Sequence, residues 1–104
     1  MNVTNLLNGD NLLLSVEGRL DTITHQDFEK ELEAILSSTE MTAVNTATLD
    51  FTNLEYISSA GLRAILKLQK TLDNLNVSLA IIHPNELVSE VLSITGIDQL
   101  LKVD

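Results

Sequence analysis

The chain has 104 residues, of which 44% are hydrophobic and only 3% aromatic, and fifteen acidic residues against six basic ones give a formal net charge of −9. A domain of this length can bury a core of Leu, Ile, Val and Ala, while its acidity repels nucleic acid and anionic membranes, leaving a protein partner or a small ligand as the expected target. There is no cysteine, which excludes disulfides, thiol catalysis and cysteine metal sites and agrees with a reducing compartment.

Val3 to Leu7 is predicted as a first strand, and Asn8-Gly9-Asp10-Asn11 has the chemistry of a tight hairpin turn. Leu12 to Glu17 reads as the second strand, with Leu12, Leu14 and Val16 on one face, and Gly18-Arg19-Leu20-Asp21 is expected to end it. Thr24-His25-Gln26-Asp27 fits a capping box, flanked by Ile23 and Phe28 at the positions of a hydrophobic staple. The helix that follows buries Phe28, Leu32, Ile35 and Leu36, and Ser37 to Asn45 is polar enough to be a loop.

Ala47 to Phe51 is the next predicted strand, followed by a polar turn at Thr52-Asn53. A second helix begins at Ser59 and carries Leu62, Ile65, Leu66, Leu68 and Leu72 at helical spacing, with Arg63, Lys67 and Lys70 on another face. Asn74-Leu75-Asn76 turns into Val77 to Ile82, an apolar run expected to be covered on both faces. Pro84 suits the first position of a third helix whose apolar set is Leu87, Val88, Val91 and Leu92. Gly96 suits the residue just past its end, and Leu100 to Val103 closes the chain as a short strand. The order implies an α/β fold: a mixed, mostly parallel sheet of about five strands with an antiparallel N-terminal hairpin, packed with three main helices.

Tyr56 to Arg63 is the stretch whose chemistry suggests more than a fold. A serine opening a helix sits where backbone N–H groups lack partners, so Ser59 has two readings. It is a cap, or it is a position at which free amides and the helix dipole favour a phosphate. A serine hydrolase would need Gly-x-Ser-x-Gly, and Ile57 stands two residues before Ser59, so no catalytic residue is assigned. His25 and His83 have no neighbour at ligand spacing, and the four glycines form no phosphate loop, so neither a metal nor a cofactor is expected. Arg63, Lys67 and Lys70 are a candidate contact face, or simply the solvated side of the helix paired with acids such as Asp73.

The ordered set Gly18-Arg19-Leu20-Asp21, Leu49-Asp50-Phe51 with Leu54 and Tyr56-Ile57, Ser59-Ala60-Gly61-Leu62, and Ile94-Thr95-Gly96-Ile97 with Leu100-Leu101 resembles a stand-alone STAS domain of the bacterial anti-sigma factor antagonist family. The likeness extends over nearly the whole chain, residues 1–104. It implies a protein that binds an anti-sigma factor acting also as a serine/threonine kinase, frees a sigma factor, is dismissed by phosphorylation, and is restored by a cognate phosphatase. The phosphorylated position maps onto Ser59, and Asp21 matches the family's aspartate near it. Asp21, Ser58, Ser59, Gly61 and Arg63 are the expected partner-binding residues. Two positions depart from the family: Ser58 stands where an aspartate is common and Ala60 where Ser or Thr is common, which makes Ser58 a rival acceptor. The resemblance also implies a cytoplasmic monomer, in keeping with the absence of a recognisable secretion signal or of an apolar run near the ~20 residues of a membrane helix. Two alternatives from other classes are a constitutive STAS-type subunit of a transport or lipid-trafficking complex, and a module that senses a small ligand.

Overall fold

Local chemistry sets the first turn of the chain. In the computed structural model, which describes residues 1–104, β1 (Asn2–Asn8) and β2 (Asn11–Leu20) pair antiparallel around Gly9-Asp10. Gly9 alone takes a positive φ there, 63°, as the first residue of a type II′ turn requires. The remaining elements are α1 (His25–Ser38), β3 (Thr46–Asp50), β4 (Leu54–Ile57), α2 (Ser59–Asn74), β5 (Ser78–Ile82), α3 (Glu86–Ile94) and β6 (Lys102–Val103), with 3₁₀ turns at Met41–Ala43 and Ile97–Gln99.

The sheet has six strands in the order β1-β2-β3-β5-β6, every pair beyond the hairpin being parallel, and β4 pairs with the far end of β2. The sequence reading lacked β4, and the reason is a bulge. Gly18 pairs with Leu54 but Arg19 pairs with Tyr56, so Glu55 is an extra residue opposite no partner. That insertion lets Leu54 and Ile57, three positions apart, both point into the core, which erases the period-two pattern by which a strand is recognised. The same irregularity carries β2 through Gly18 rather than ending there: Gly18 takes φ 106° and the strand continues to Leu20 beside its new partner.

One face of the sheet holds the core. Leu12, Leu14, Val16, Ala47, Leu49, Leu79 and Ile81 are buried beneath the helices, together with Phe28, Leu32 and Ile35 of α1, Ile65, Leu68 and Leu72 of α2, and Val88 and Leu92 of α3. The other face is open. β5 alternates between buried Leu79 and Ile81 and exposed or half-buried Ser78, Ala80 and Ile82, so the expectation that it is covered on both faces fails. An apolar run is ambiguous between a doubly covered strand and one with Ala and Ile on a half-exposed surface.

Three helix starts also differ from expectation. Thr24 precedes α1 in a helical conformation and makes no capping bond, while Ile23 is 86% exposed, so neither the capping box nor the staple forms. Pro84 lies two residues before α3, and Asn85 is the cap, its Oδ1 accepting from Val88 N–H at 2.7 Å. For α2 the cap is Ser58, as described below. The helix ends follow local chemistry more closely. Asn76 (φ 60°) and Gly96 (φ 79°) are left-handed just past α2 and α3. At α2, Val77 N–H donates to Leu72 O and Asn76 N–H to Asp73 O, the two bonds of a Schellman motif. No helix is long and apolar enough to cross a membrane.

Candidate functional site

The parallel pairing of β2 with β4 brings two strand ends together, and the turns that leave them lie side by side. The link is a hydrogen bond from Ser58 N–H to Leu20 O, 2.9 Å. Open α/β sheets place their sites at such carboxyl ends.

From β2 the chain passes through a turn built on Asp21. Its Oδ1 accepts from the backbone N–H groups of Ile23 and Thr24, both at 3.0 Å, and Thr24 Oγ1 accepts in return from Asp21 N–H at 3.0 Å and donates to Arg19 O at 2.6 Å. Asp21 therefore does what the capping box was expected to do, one turn earlier. The Thr24 and Ile23 amides hold its carboxyl below the usual carboxylate range, with a smaller contribution from Arg19, whose Nε is 3.7 Å from Oδ2. The arrangement presents a fixed negative charge at neutral pH and leaves the Ile23 side chain standing in solvent beside it.

From β4 the chain enters α2 through Ser58. Its backbone is extended (φ −103°, ψ 176°), and Oγ accepts from Gly61 N–H at 3.4 Å, a long capping bond. The serine reading as cap thus belongs to Ser58 and not to Ser59. An aspartate, the residue common at this position in the resembled family, is an equally good cap, so Ser58 preserves the local structure. Ser59 is the first residue of the helix and is exposed, whereas Ser58 is half-buried.

Gly61 follows on the inner side of the helix. A Cβ there would lie 2.7 Å from Leu20 O, 2.8 Å from Leu20 Cγ and 2.9 Å from Ile57 Cγ1. The glycine is buried and lets α2 approach the ends of β2 and β4, so its place is in packing and it offers a partner no surface. Arg63 lies four residues after Ser59, one turn along the same helix face, exposed and without an ion pair. Lys67 is not part of this surface: its Nζ is 3.1 Å from Glu29 Oε1 on α1. Burial pushes the Glu29 carboxyl up, but hydrogen bonds from Lys67 and His25 outweigh it and hold the group below its usual range.

Of the sequence-derived residues, Asp21, Ser58, Ser59 and Arg63 share one surface, and Gly61 lies beneath it. Arg19, Tyr56 and Ile23 also belong to this surface, though the sequence reading assigned none of them to partner binding, and Asn85 supports it from the start of β4. Arg19 stacks over the Tyr56 ring at 4.4 Å, a contact created by their pairing across the bulge. Ile23 is exposed by the Asp21 turn. Asn85, besides capping α3, donates from Nδ2 to Leu54 O and Glu55 O, both 3.2 Å, and so satisfies the carbonyls of the bulge. The alternation Arg19-x-Asp21 was a signal for the first of these; the exposure of Ile23 comes from the local Asp21 turn, and the contacts of Tyr56 and Asn85 depend on strand pairing. His25 lies in the first turn of α1 and His83 just past β5, and no cluster of three or more metal-ligating side chains forms.

Comparison with known proteins follows the same lines. The sequence model of the family described as STAS domain matches residues 3–104. A STAS-domain containing protein of Pseudomonas aeruginosa strain UCBPP-PA14 is 26% identical over 95 residues, spanning 91% of this chain and 89% of that protein. Among solved structures, TM1081 of Thermotoga maritima, provisionally described as an anti-sigma factor antagonist, superposes with a TM-score of 0.84 at 23% identity, covering 97% of this chain and 84% of that one. The Bacillus anti-sigma factor antagonist SpoIIAA, in its unphosphorylated form, gives 0.77 at 15% identity, covering 99% and 88%.

Proposed function

The chain belongs to the STAS domain family, and from that premise we propose that it is an anti-sigma factor antagonist whose surface around Ser59 docks on an anti-sigma factor with serine kinase activity and is released when Ser59 is phosphorylated. Its likeness to anti-sigma factor antagonists in fold supports the general role of a protein-binding module. One observation carries the finer reading. Of two adjacent serines at the start of α2, Ser58 is half-buried and committed to capping, while the Ser59 hydroxyl is exposed beside the charged Asp21 turn. A kinase therefore meets Ser59 first.

The mechanism is electrostatic. A phosphate on Ser59 adds roughly 1.5 to 2 negative charges at pH 7 at the N-terminus of a sixteen-residue helix, where unpaired amides and Arg63 one turn on tolerate it. The fold stays intact, but a hydrated dianion now stands beside Asp21, whose charge the Ile23 and Thr24 amides hold in place. An interface that closes over Ile23 and Tyr56 must desolvate both charges, at a cost of several kcal/mol of affinity. A phosphatase that removes the group restores binding.

The test is to incubate the protein with its kinase and ATP and map the phosphate by mass spectrometry, then compare Ser59→Ala and Ser59→Asp in binding. Phosphate on Ser59, full binding by Ser59→Ala and loss of binding by Ser59→Asp are expected. A phosphate on neither serine, or a Ser59→Asp protein that binds like wild type, refutes the reading.

A ligand-sensing role has one observation in its favour, a groove of about 580 Å³ between α1 and α2 whose lining is half apolar (Leu32, Leu36, Met41, Ala64, Leu68 and Leu75) and half polar, Glu29 and Glu33 included. Its lining suits an amphipathic ligand, and Lys67, its one cation, is already paired with Glu29. Thermal-shift titration with fatty acids and with nucleotides separates this role from partner switching: stabilisation by neither eliminates it.

A further inference from the structure

The two edges of the sheet differ in how they are protected. β6 is two residues long and carries Lys102, and a short, charged edge does not recruit another strand. β1, at the other edge, is seven residues long and has no charge, no proline and no bulge. Six of its seven residues are exposed, only Val3 being buried, so alternate backbone N–H and C=O groups along its free side face solvent. Two of the seven large hydrophobic residues exposed in the whole chain, Leu6 at 61% and Leu7 at 47%, are neighbours on this strand. They point to opposite faces, so no single helix or loop of this chain could cover both.

We propose that β1 is a self-association edge: a second copy of this chain adds its own β1 antiparallel, joining the two sheets into one across a two-fold axis. The sequence of the strand is complementary to itself in that arrangement. In an antiparallel pair opposite residues share a face, and the register with greatest overlap places Asn5 on the axis. Asn2 then lies opposite Asn8 of the second copy, Val3 opposite Leu7, and Thr4 opposite Leu6. On the helix side, Leu7 is already paired with Leu12 and Val3 with Val16. Dimerisation thus lines up Leu12, Leu7, Val3 and Val16 in one apolar row across both copies. On the open side, Leu6 and its neighbour Leu13 meet Thr4 and Ser15 of the second copy. The absence of charge on β1 decides the partner. In a chain of net charge −9, an uncharged strand is the stretch on which two copies can approach, since at about 0.15 M salt the remaining charges are screened beyond about 8 Å.

The sequence resemblance implies a monomer, so the two expectations separate cleanly. Sedimentation equilibrium of the full chain is expected to show a monomer–dimer equilibrium with a dissociation constant on the order of 10 µM, as for a small contact. Leu6→Lys, at an exposed position, is expected to weaken it at least about tenfold while leaving the circular dichroism spectrum unchanged. Because the chain has no cysteine, Asn5→Cys gives a second readout that does not depend on Leu6. Self-opposed residues are about 4.5 to 5.5 Å apart at Cα, within disulfide range, so Asn5→Cys crosslinks to itself on mild oxidation. Asn8→Cys, displaced about 20 Å from its own copy, does not. A monomer at all concentrations to about 200 µM overturns the proposal and leaves the edge to an extended segment of another protein. So do a dimer indifferent to Leu6→Lys and equal crosslinking at positions 5 and 8.

Discussion

Replacing Gly61 by Ala tests whether that glycine serves packing or partner contact. The added Cβ meets three atoms closer than 3.0 Å, and none can swing away. Leu20 O is backbone and already accepts from Ser58 N–H at 2.9 Å, while Leu20 Cγ and Ile57 Cγ1 sit near the base of side chains 0% and 2% exposed. Relief requires α2 to move off the ends of β2 and β4. Overpacking of this kind costs about 1 to 3 kcal/mol, and stretching the Ser58 to Leu20 bond adds about 1 kcal/mol. Against this, alanine gains up to about 1 kcal/mol of helix propensity. The balance is a loss of about 1 to 3 kcal/mol, which for a domain of this size lowers the melting temperature by roughly 5 to 20 °C. Urea unfolding followed by circular dichroism is the assay, with an unchanged slope showing that only stability has moved. A Gly61→Ala protein as stable as wild type refutes the packing argument. If it also binds its partner poorly, Gly61 is a contact residue after all.

Asn85 joins the bulge to α3, so Asn85→Ala is expected to cost about 2 kcal/mol, the sum of a lost cap and two unsatisfied carbonyls. Asn85→Asp keeps the acceptor for Val88 N–H but not the donors to Leu54 and Glu55, and is expected to cost about 1 kcal/mol; equality with wild type in urea would show that those two bonds contribute nothing. At Asn76, held at φ 60°, Ala is expected to lower stability by about 1 kcal/mol and Gly to leave it equal or higher, a ranking that any fall on glycine substitution contradicts. Asp21 has a lowered pKa in the fold, so its contribution is present in full above the unfolded value of roughly 4 and is lost as pH falls through the lower folded value. Asn at position 21 keeps the acceptor without the charge. The stability gap between wild type and Asp21→Asn is therefore expected to be constant at neutral pH and to shrink in acid below roughly pH 4; a gap that widens in acid reverses the assigned sign.

Particular residues show where reading the chain succeeded and where it failed. Leu12, Leu14 and Val16 alternate, and Phe28, Leu32 and Ile35 recur at helical spacing. Both patterns survive in the fold because burial of a strand or helix face requires them whatever else the chain does. The hairpin turn at Gly9 and the helix-ending Gly96 were legible for the same reason, their conformations being decided by backbone sterics within a few residues, whereas Asn76 was read only as part of a turn. The antiparallel hairpin, the parallel remainder and the three helices follow from these local signals in order.

The positions of the caps of α2 and α3 were not local. Ser58 and Ser59 are equivalent as residues, and the choice between them falls where the chain leaves β4, which is set by the bond from Ser58 N–H to Leu20 O across the sheet. Asn85 displaced Pro84 because its Nδ2 has partners on the distant β4 backbone, whereas Asp21 displaced Thr24 through bonds to Ile23 and Thr24 within its own turn, a local alternative that the capping-box reading passed over. β4 was hidden by a bulge that exists only through its pairing with β2. By itself, then, the sequence determined every main element but β4, the order of those elements, and that a serine pair stands at a helix start; the resemblance added Asp21 beside it. Only the tertiary structure decided which serine caps α2 and which is exposed, because that depends on where two strands remote in sequence bring their ends together.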